Sequence, residues 1–440
     1  MEKLLVANRG NPALRIIRAC RELGVKTIAV YSEADRHSLP ALLADEAVCI
    51  GKSDPRDSYL NISRILSAAE ITNANAVHPG WGFLAPNPEF ADAVQSSGLI
   101  WIGPHPDLLR LFCSRLAVRS RISAAGVPVV PAVDEPLKNP EDAIPICQRL
   151  GLPAVVRPVA EYANRTRIIS KEKDIETQVR MCQAEIRADF ESALSGWIGS
   201  SEVYIEKMIP DARHLEIQIV LDNQRQILVL DDREIIEHHG KKLIACSPPP
   251  QIKPTKRRQL HRWAEKVARA LNWTGIGTVH FLLDENDRVY FHCFIPHLTE
   301  FHPTTEIRYG LDLIQIQLLT TDPQLPEAKV FINTTANPIP DYIITCQILA
   351  ENPGADFEPS SGTITNLRLP GGPNIRIDTD IFPGTRITPF YDYALGTLSS
   401  WGSQVPIVFN RLHRALAETT IIGIQTNIPF LADLAKIIGW

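Results

Sequence analysis

Lys3-Leu4-Leu5-Val6-Ala7-Asn8-Arg9-Gly10-Asn11-Pro12 sets a short apolar run against a polar, glycine-containing turn and an early proline. The run reads as a strand and Asn8-Arg9-Gly10 as the turn that ends it. Asn11 then caps a helix with Pro12 at its first position, where a missing N–H costs nothing. Leu14, Ile16, Ile17, Ala19 and Cys20 give that helix an apolar stripe. Val25 to Tyr31 is a second buried-type strand, and Ala76-Val77-His78-Pro79-Gly80 ends a later one. Strands alternating with helices predict a mostly parallel, doubly wound sheet. Such sheets hold ligands at the carboxyl ends of their strands.

Beyond this unit the spacing predicts a helix over Leu108 to Ala125, followed by the proline-rich boundary Val127-Pro128-Val129-Val130-Pro131. A small α/β unit follows, with a helix over Ile175 to Ala193. Strands are expected at Glu216 to Val220, Ile227 to Leu230, Thr278 to Leu283 and Val289 to Phe294, with a final helix around Ile407 to Glu418. A chain of 440 residues is too long for one core, so several subdomains are expected. The formal net charge of −5 provides no basic field, which argues against a nucleic-acid binder. No apolar run has the length of a membrane span, and the N-terminus is not a signal peptide. The eight cysteines stand singly with no CxxC pair, which reads as reduced thiols in a cytoplasmic protein.

Several stretches resemble the biotin carboxylase branch of the ATP-grasp superfamily. They include Val6-Ala7-Asn8-Arg9-Gly10, Leu43-Ala44-Asp45-Glu46, Ser58-Tyr59-Leu60-Asn61 and His78-Pro79-Gly80-Trp81-Gly82-Phe83-Leu84. Tyr204-Ile205-Glu206-Lys207, Arg213-His214-Leu215-Glu216-Ile217-Gln218, Pro389-Phe390-Tyr391-Asp392 and Gly423-Ile424-Gln425-Thr426-Asn427 extend the similarity along nearly the whole chain. The resemblance implies an α/β fold: an N-terminal Rossmann-like domain over 1–113, a linker helix over 114–131, an ATP-grasp lid over 132–203, the main ATP-grasp subdomain over 204–330 and a C-terminal α/β domain over 331–440. It also implies a ligase that handles ATP, Mg²⁺, bicarbonate and biotin.

Against that pattern many positions differ. The phosphate-covering segment Arg157 to Arg167 contains no glycine, and Pro158 and Glu161 are poorly suited to an anion. The family's two cation-binding glutamates fall on His280 and Cys293, which are not hard oxygen ligands for Mg²⁺. With His297 nearby, the two could form a soft-metal site; the plainer alternative is that they fill space, and no metal is expected. The family's asparagine, arginine and catalytic glutamate fall on Ile295, His297 and Phe301, and phenylalanine cannot serve as a base. Glu300 is adjacent, but His302-Pro303 is taken to pin the register against it. A second anion-binding arginine falls on Gln347, and two nucleotide-binding lysines fall on Arg115 and Arg157. Lys242 keeps its lysine, while Glu237 stands where a glutamine is expected.

Glu206, Lys207, His214 and Lys242 match nucleotide-edge positions and form the expected residual nucleotide site. The plain alternative for Glu206, Lys207 and Glu216 is a solvated strand edge. Trp440 ends the chain before a C-terminal segment that packs on the nucleotide in the family. Arg18, Glu22 and Arg376 match charged residues of a two-fold contact whose aromatic partner falls on Pro373, so a homodimer is expected. Two readings follow from these residues. The leading one is a non-catalytic subunit or regulator that binds an active biotin carboxylase or the biotin carboxyl carrier protein. It expects no resident cofactor and no Mg²⁺, with ATP admissible. The other is an active biotin carboxylase or diverged ATP-grasp ligase.

Overall fold

The computed structural model describes residues 1–160, 165–192, 201–221, 226–322 and 340–437. Residues 161–164 of the glycine-free segment, Ala193, the 331 boundary and Trp440 lie outside them. Strands β1 (Lys3–Val6), β2 (Lys26–Ser32), β3 (Glu46–Gly51), β4 (Ala76–His78) and β5 (Ile100–Trp101) form a parallel sheet in the order β3-β2-β1-β4-β5. Strand order reverses between β1 and β4, the position where such sheets open a crevice. Asn8 spans it: its Nδ2 donates to the carbonyls of Pro79 at 2.6 Å and Trp81 at 2.9 Å. Gly80, at φ +69°, lies so close that an added Cβ would stand 2.6 Å from Asn8 Nδ2.

Asn11 does not cap the first helix. Helix α1 (Gly10–Glu22) already contains Asn11, and its N-cap is Arg9, without a side-chain cap bond. Asn8 is the polar residue that shapes the turn, because its Oδ1 accepts the Arg9 N–H at 2.8 Å. The helix expected over Leu108 to Ala125 is two helices, Pro106–Phe112 and Arg115–Ala124, and Ser114 caps the second through the Ala117 N–H. A terminal helix at Ile428–Ile437 follows the one at Val405–Glu418.

Strands β6 (Ala154–Pro158), β7 (Arg167–Ile169) and β8 (Val203–Lys207) form a separate three-stranded antiparallel sheet in the order β7-β6-β8. The largest sheet contains β9 (Arg213–Leu221), β10 (Ile227–His238), β11 (Lys241–Ser247), β12 (Gly275–Leu283), β13 (Val289–Ile295) and β14 (Tyr342–Leu349). Its order is β13-β12-β9-β10-β11-β14, continued by the strands Ala394–Gly402 and Ile375–Asp378. Leu215, Ile217, Ile219, Val279, Phe281 and Phe294 bury one face with the helix Pro254–Ala270. Side chains alternate between the faces of a strand, so His214, Glu216, Gln218 and His280 point the other way. Among the described residues no helix is long and apolar enough to cross a membrane.

Candidate functional site

A row of facing residues crosses the polar face of the large sheet. Cys293 on β13 stands opposite His280 on β12, His280 opposite Glu216 on β9, and Glu216 opposite Arg233 on β10. Glu216 and Arg233 are completely buried. Arg233 Nε donates to Glu216 Oε2 at 2.9 Å, and Lys242 Nζ on β11 reaches Glu216 Oε1 at 2.7 Å. The remaining guanidinium donors meet Thr299 Oγ1 at 3.0 Å and Thr305 Oγ1 at 3.2 Å. Burial alone would raise the Glu216 carboxyl, but Lys242 and Arg233 hold it well below the usual carboxylate range. The same environment keeps Lys242 charged, because Glu216 outweighs burial. These partners exclude the solvated strand edge for Glu216.

Beside this network lies a cluster of softer donors. His280, His292 and Cys293 have donor atoms within 4.8 Å of one another, and so do His214, Glu237 and His280. Cys293 Sγ stands 3.6 Å from His280 Nδ1, and His214 Nδ1 3.4 Å from Glu237 Oε1. Burial, with Lys242 adding charge repulsion, pushes His280 down to about 3. Burial also pushes His292 well below its ordinary value, with Arg157, His280 and Arg115 adding repulsion. Glu237 stays ionised, since the pull of His214 outweighs its burial. Mg²⁺ favours an octahedron of hard oxygens. His280 and Cys293 supply an imidazole and a thiol, so this pair does not fit that ion.

Other residues assigned by resemblance take different places. His297 does not join His280 and Cys293. Its Nδ1 lies 2.6 Å from the Leu298 carbonyl, and its ring lines a small cavity with Pro79, Gly80 and Gln317. Phe301 is fully buried in an apolar contact with Ile235 and Ala245. Its neighbour Glu300 is half-buried within electrostatic reach of Lys242, and burial raises its carboxyl above the usual range. The proline of His302-Pro303 stands in the first turn of helix His302–Tyr309.

Glu206 is buried and tied to Arg157 Nε and to the Tyr204 hydroxyl, at 3.0 Å from the latter. Lys207 Nζ donates to the carbonyls of Gly151 at 3.1 Å and Leu152 at 3.3 Å. Both residues thus brace the small sheet, and neither is a solvated edge. Arg115 opens a helix, its N–H bonded to the Val159 carbonyl at 2.8 Å. Gln347 sits on β14, with its carbonyl accepting from Asn427 Nδ2 at 3.1 Å. At the expected two-fold contact, Arg376 is engaged within the chain, 2.8 Å from Glu306 and 2.7 Å from Asp378. Glu22 accepts from Gln315 at 2.7 Å, and Arg18 is exposed.

Two functional-site residues were not singled out from sequence. Arg233 carried a signal, a charged run Asp231-Asp232-Arg233-Glu234 inside an apolar strand pattern. His292 carried none, because it reaches the cluster through a break in register between β12 and β13.

Three family models match the chain: Biotin carboxylase, N-terminal domain over 1–109, Carbamoyl-phosphate synthase L chain, ATP binding domain over 114–326, and Biotin carboxylase C-terminal domain over 345–437. Biotin carboxylase 1 of Bacillus subtilis is 37% identical over 99% of this chain and 95% of its own. A biotin carboxylase–β,γ-ATP complex from Campylobacter jejuni superposes with a TM-score of 0.91 at 31% identity, covering 99% of this chain and 95% of that one. The biotin carboxylase domain of a Hydrogenobacter thermophilus 2-oxoglutarate carboxylase, with MgADP, ADP and bicarbonate, also gives 0.91, at 32% identity over 99% and 94%.

These relatives overturn the expectation of a non-catalytic subunit or regulator, since they are named as carboxylases along the full length of this chain. They give no support to the expectation that cofactor and Mg²⁺ are absent. Alongside the substituted positions the cleft keeps a charged network, in which Lys242 and Arg233 both pair with the buried Glu216. In sequence over its whole length, and in the build of its sheets, this chain belongs to the biotin carboxylase family.

Proposed function

We propose that the chain is an ATP-dependent ligase of the biotin carboxylase type, acting on biotin or on a diverged acceptor. The observation that carries this reading is the buried Lys242–Glu216–Arg233 network on the polar face of the large sheet, with Lys242 in electrostatic reach of the half-buried Glu300, whose carboxyl is raised by burial. Glu300 stands one residue from the position where the resemblance expects a base. A carboxylate poised nearer neutrality is a better proton acceptor than an ordinary one. Glu300 takes the proton from the acid anion, and Lys242 offers positive charge to the anion and to phosphate. Glu206, Lys207, His214 and Lys242 supply the nucleotide side, the first two by holding the small sheet in place. Biotin reaches the cleft on a carboxyl carrier protein, and the chain pairs with itself through Arg18 and Glu22. The Hydrogenobacter relative, described as a domain dimer, supports that pairing.

The test is turnover with ATP, bicarbonate and free biotin. The expected result is ATP cleavage that depends on both acceptors, with carboxylated biotin detected by mass spectrometry. Glu300→Gln lowers kcat by roughly 10²-fold or more, the range of a lost general base. ATP cleavage no higher than blank, or indifferent to both bicarbonate and biotin, overturns the reading.

A further inference from the structure

His292 and Cys293 are consecutive on β13, yet both reach His280. Neighbours in a regular strand point to opposite faces. The register shift beside His280 pairs it with Cys293 while Phe281 pairs with Phe291, leaving His292 as the extra residue of a bulge. Bulges re-aim side chains in this way. The Nδ1–Sγ separation of 3.6 Å is hydrogen-bond-like, and it also matches the edge of a tetrahedral zinc site. Zn–N near 2.0–2.1 Å and Zn–S near 2.3 Å place those two donors about 3.6 Å apart. With Nδ1 turned to Cys293, the other ring nitrogen, His280 Nε2, is buried without a hydrogen-bond partner and so keeps its N–H for a carboxylate.

We propose that His280, His292 and Cys293 bind one borderline divalent transition ion, zinc in the first instance, with the fourth position open to water or substrate. Two imidazoles and a thiolate select zinc over magnesium by ligand softness. Cysteine binds as thiolate, so each ion taken up releases the Cys293 proton to solvent. Metal-bound imidazoles pass their second N–H to a carboxylate. Glu237, whose oxygen lies within 4.8 Å of a His280 nitrogen, is placed for that role, with His214 at its side. The ion would stand at the edge of the Glu216–Lys242 network and bring positive charge to the same cleft. Such a site rests on its donor set alone and does not require the ligase reading.

The experiment uses the full chain, stripped with a chelator and titrated with Co²⁺ as a spectroscopic stand-in for zinc. One equivalent binds and produces a thiolate-to-cobalt charge-transfer band. Cys293→Ser abolishes the band, His280→Ala and His292→Ala weaken binding at least tenfold, and His297→Ala leaves it unchanged. In the unsubstituted chain, Zn²⁺ slows alkylation of Cys293, mapped by mass spectrometry, while exposed Cys49 continues to react. That second readout does not depend on any variant folding. Cobalt binding without a thiolate band, a band that survives Cys293→Ser, or Cys293 alkylation indifferent to zinc overturns the site.

Discussion

Arg233 and Glu216 meet at 2.8 Å with neither side chain reaching solvent, and Lys242 holds the second oxygen of the same carboxylate. Removing Glu216 strands Arg233 as a buried charge without its carboxylate, and removing Arg233 leaves the buried Glu216 with the Lys242 contact alone. Arg233→Met is expected to cost about 3–5 kcal/mol, read as a lowered urea midpoint with an unchanged slope. Glu216→Gln with Arg233→Met is expected to cost less than the two single changes summed, because neither charge is then stranded. Additive losses would mean that the two groups do not act as a pair.

Asn8 ties β1 to the segment after β4 through two buried carbonyls. Asn8→Ala leaves both without a donor, at about 1–3 kcal/mol for each unsatisfied group. Gly80→Ala is expected to be at least as damaging, since it meets the Asn8 amide and a left-handed backbone angle together. Thermal melts of the two variants check this, and a Gly80→Ala protein as stable as the parent counts against it.

His78 is buried, its Nδ1 accepts the Gly80 N–H at 3.0 Å, and burial pushes its pKa down to about 3. Unfolded, it titrates near 6.5. Below that pH the unfolded chain binds a proton that the fold refuses. This histidine therefore contributes stability above pH 6.5 that is lost progressively down to about 3. The slope is about 1.4 kcal/mol per pH unit for one group. Urea titrations at several pH values between 7 and 4 should show His78→Gln with a shallower loss by one proton. Equal slopes would mean that His78 titrates normally in the fold.

Phe301 occupies the position where the resemblance expects a carboxylate, but its ring packs against Ile235 and Ala245. Phe301→Glu is therefore expected to destabilise the fold by several kcal/mol, or to bind a proton, rather than to raise activity. Bicarbonate-dependent ATP cleavage measured beside a stability curve separates the outcomes. A stable, more active Phe301→Glu protein would move the proton-accepting role away from Glu300.

Much of this architecture was legible. Alternation of His214, Glu216 and Gln218 with Leu215, Ile217 and Ile219 marks a strand with one polar and one apolar face, and the structure has both. The parallel N-terminal sheet follows from its strand–turn–helix punctuation. Legibility failed where side-chain direction depends on register. His292 enters the cluster only because β13 bulges, and Phe301, not its neighbour Glu300, takes the apolar pocket. Neither choice is written in local composition. The expectation of a non-catalytic subunit is overturned by relatives named as carboxylases over the full length of the chain, not by the pairing of any one side chain.

Hydrogen bonding between β11 and β14 carries the large sheet from the cleft strands into the C-terminal third without a break. A ladder of this kind has no seam along which the two parts could swing, and a fragment cut between them would present raw strand edges to solvent. Opening and closing of this protein is therefore to be sought in the small β7-β6-β8 sheet, which among the described residues joins no strand of the large one and is bridged at Glu206 to Ala132.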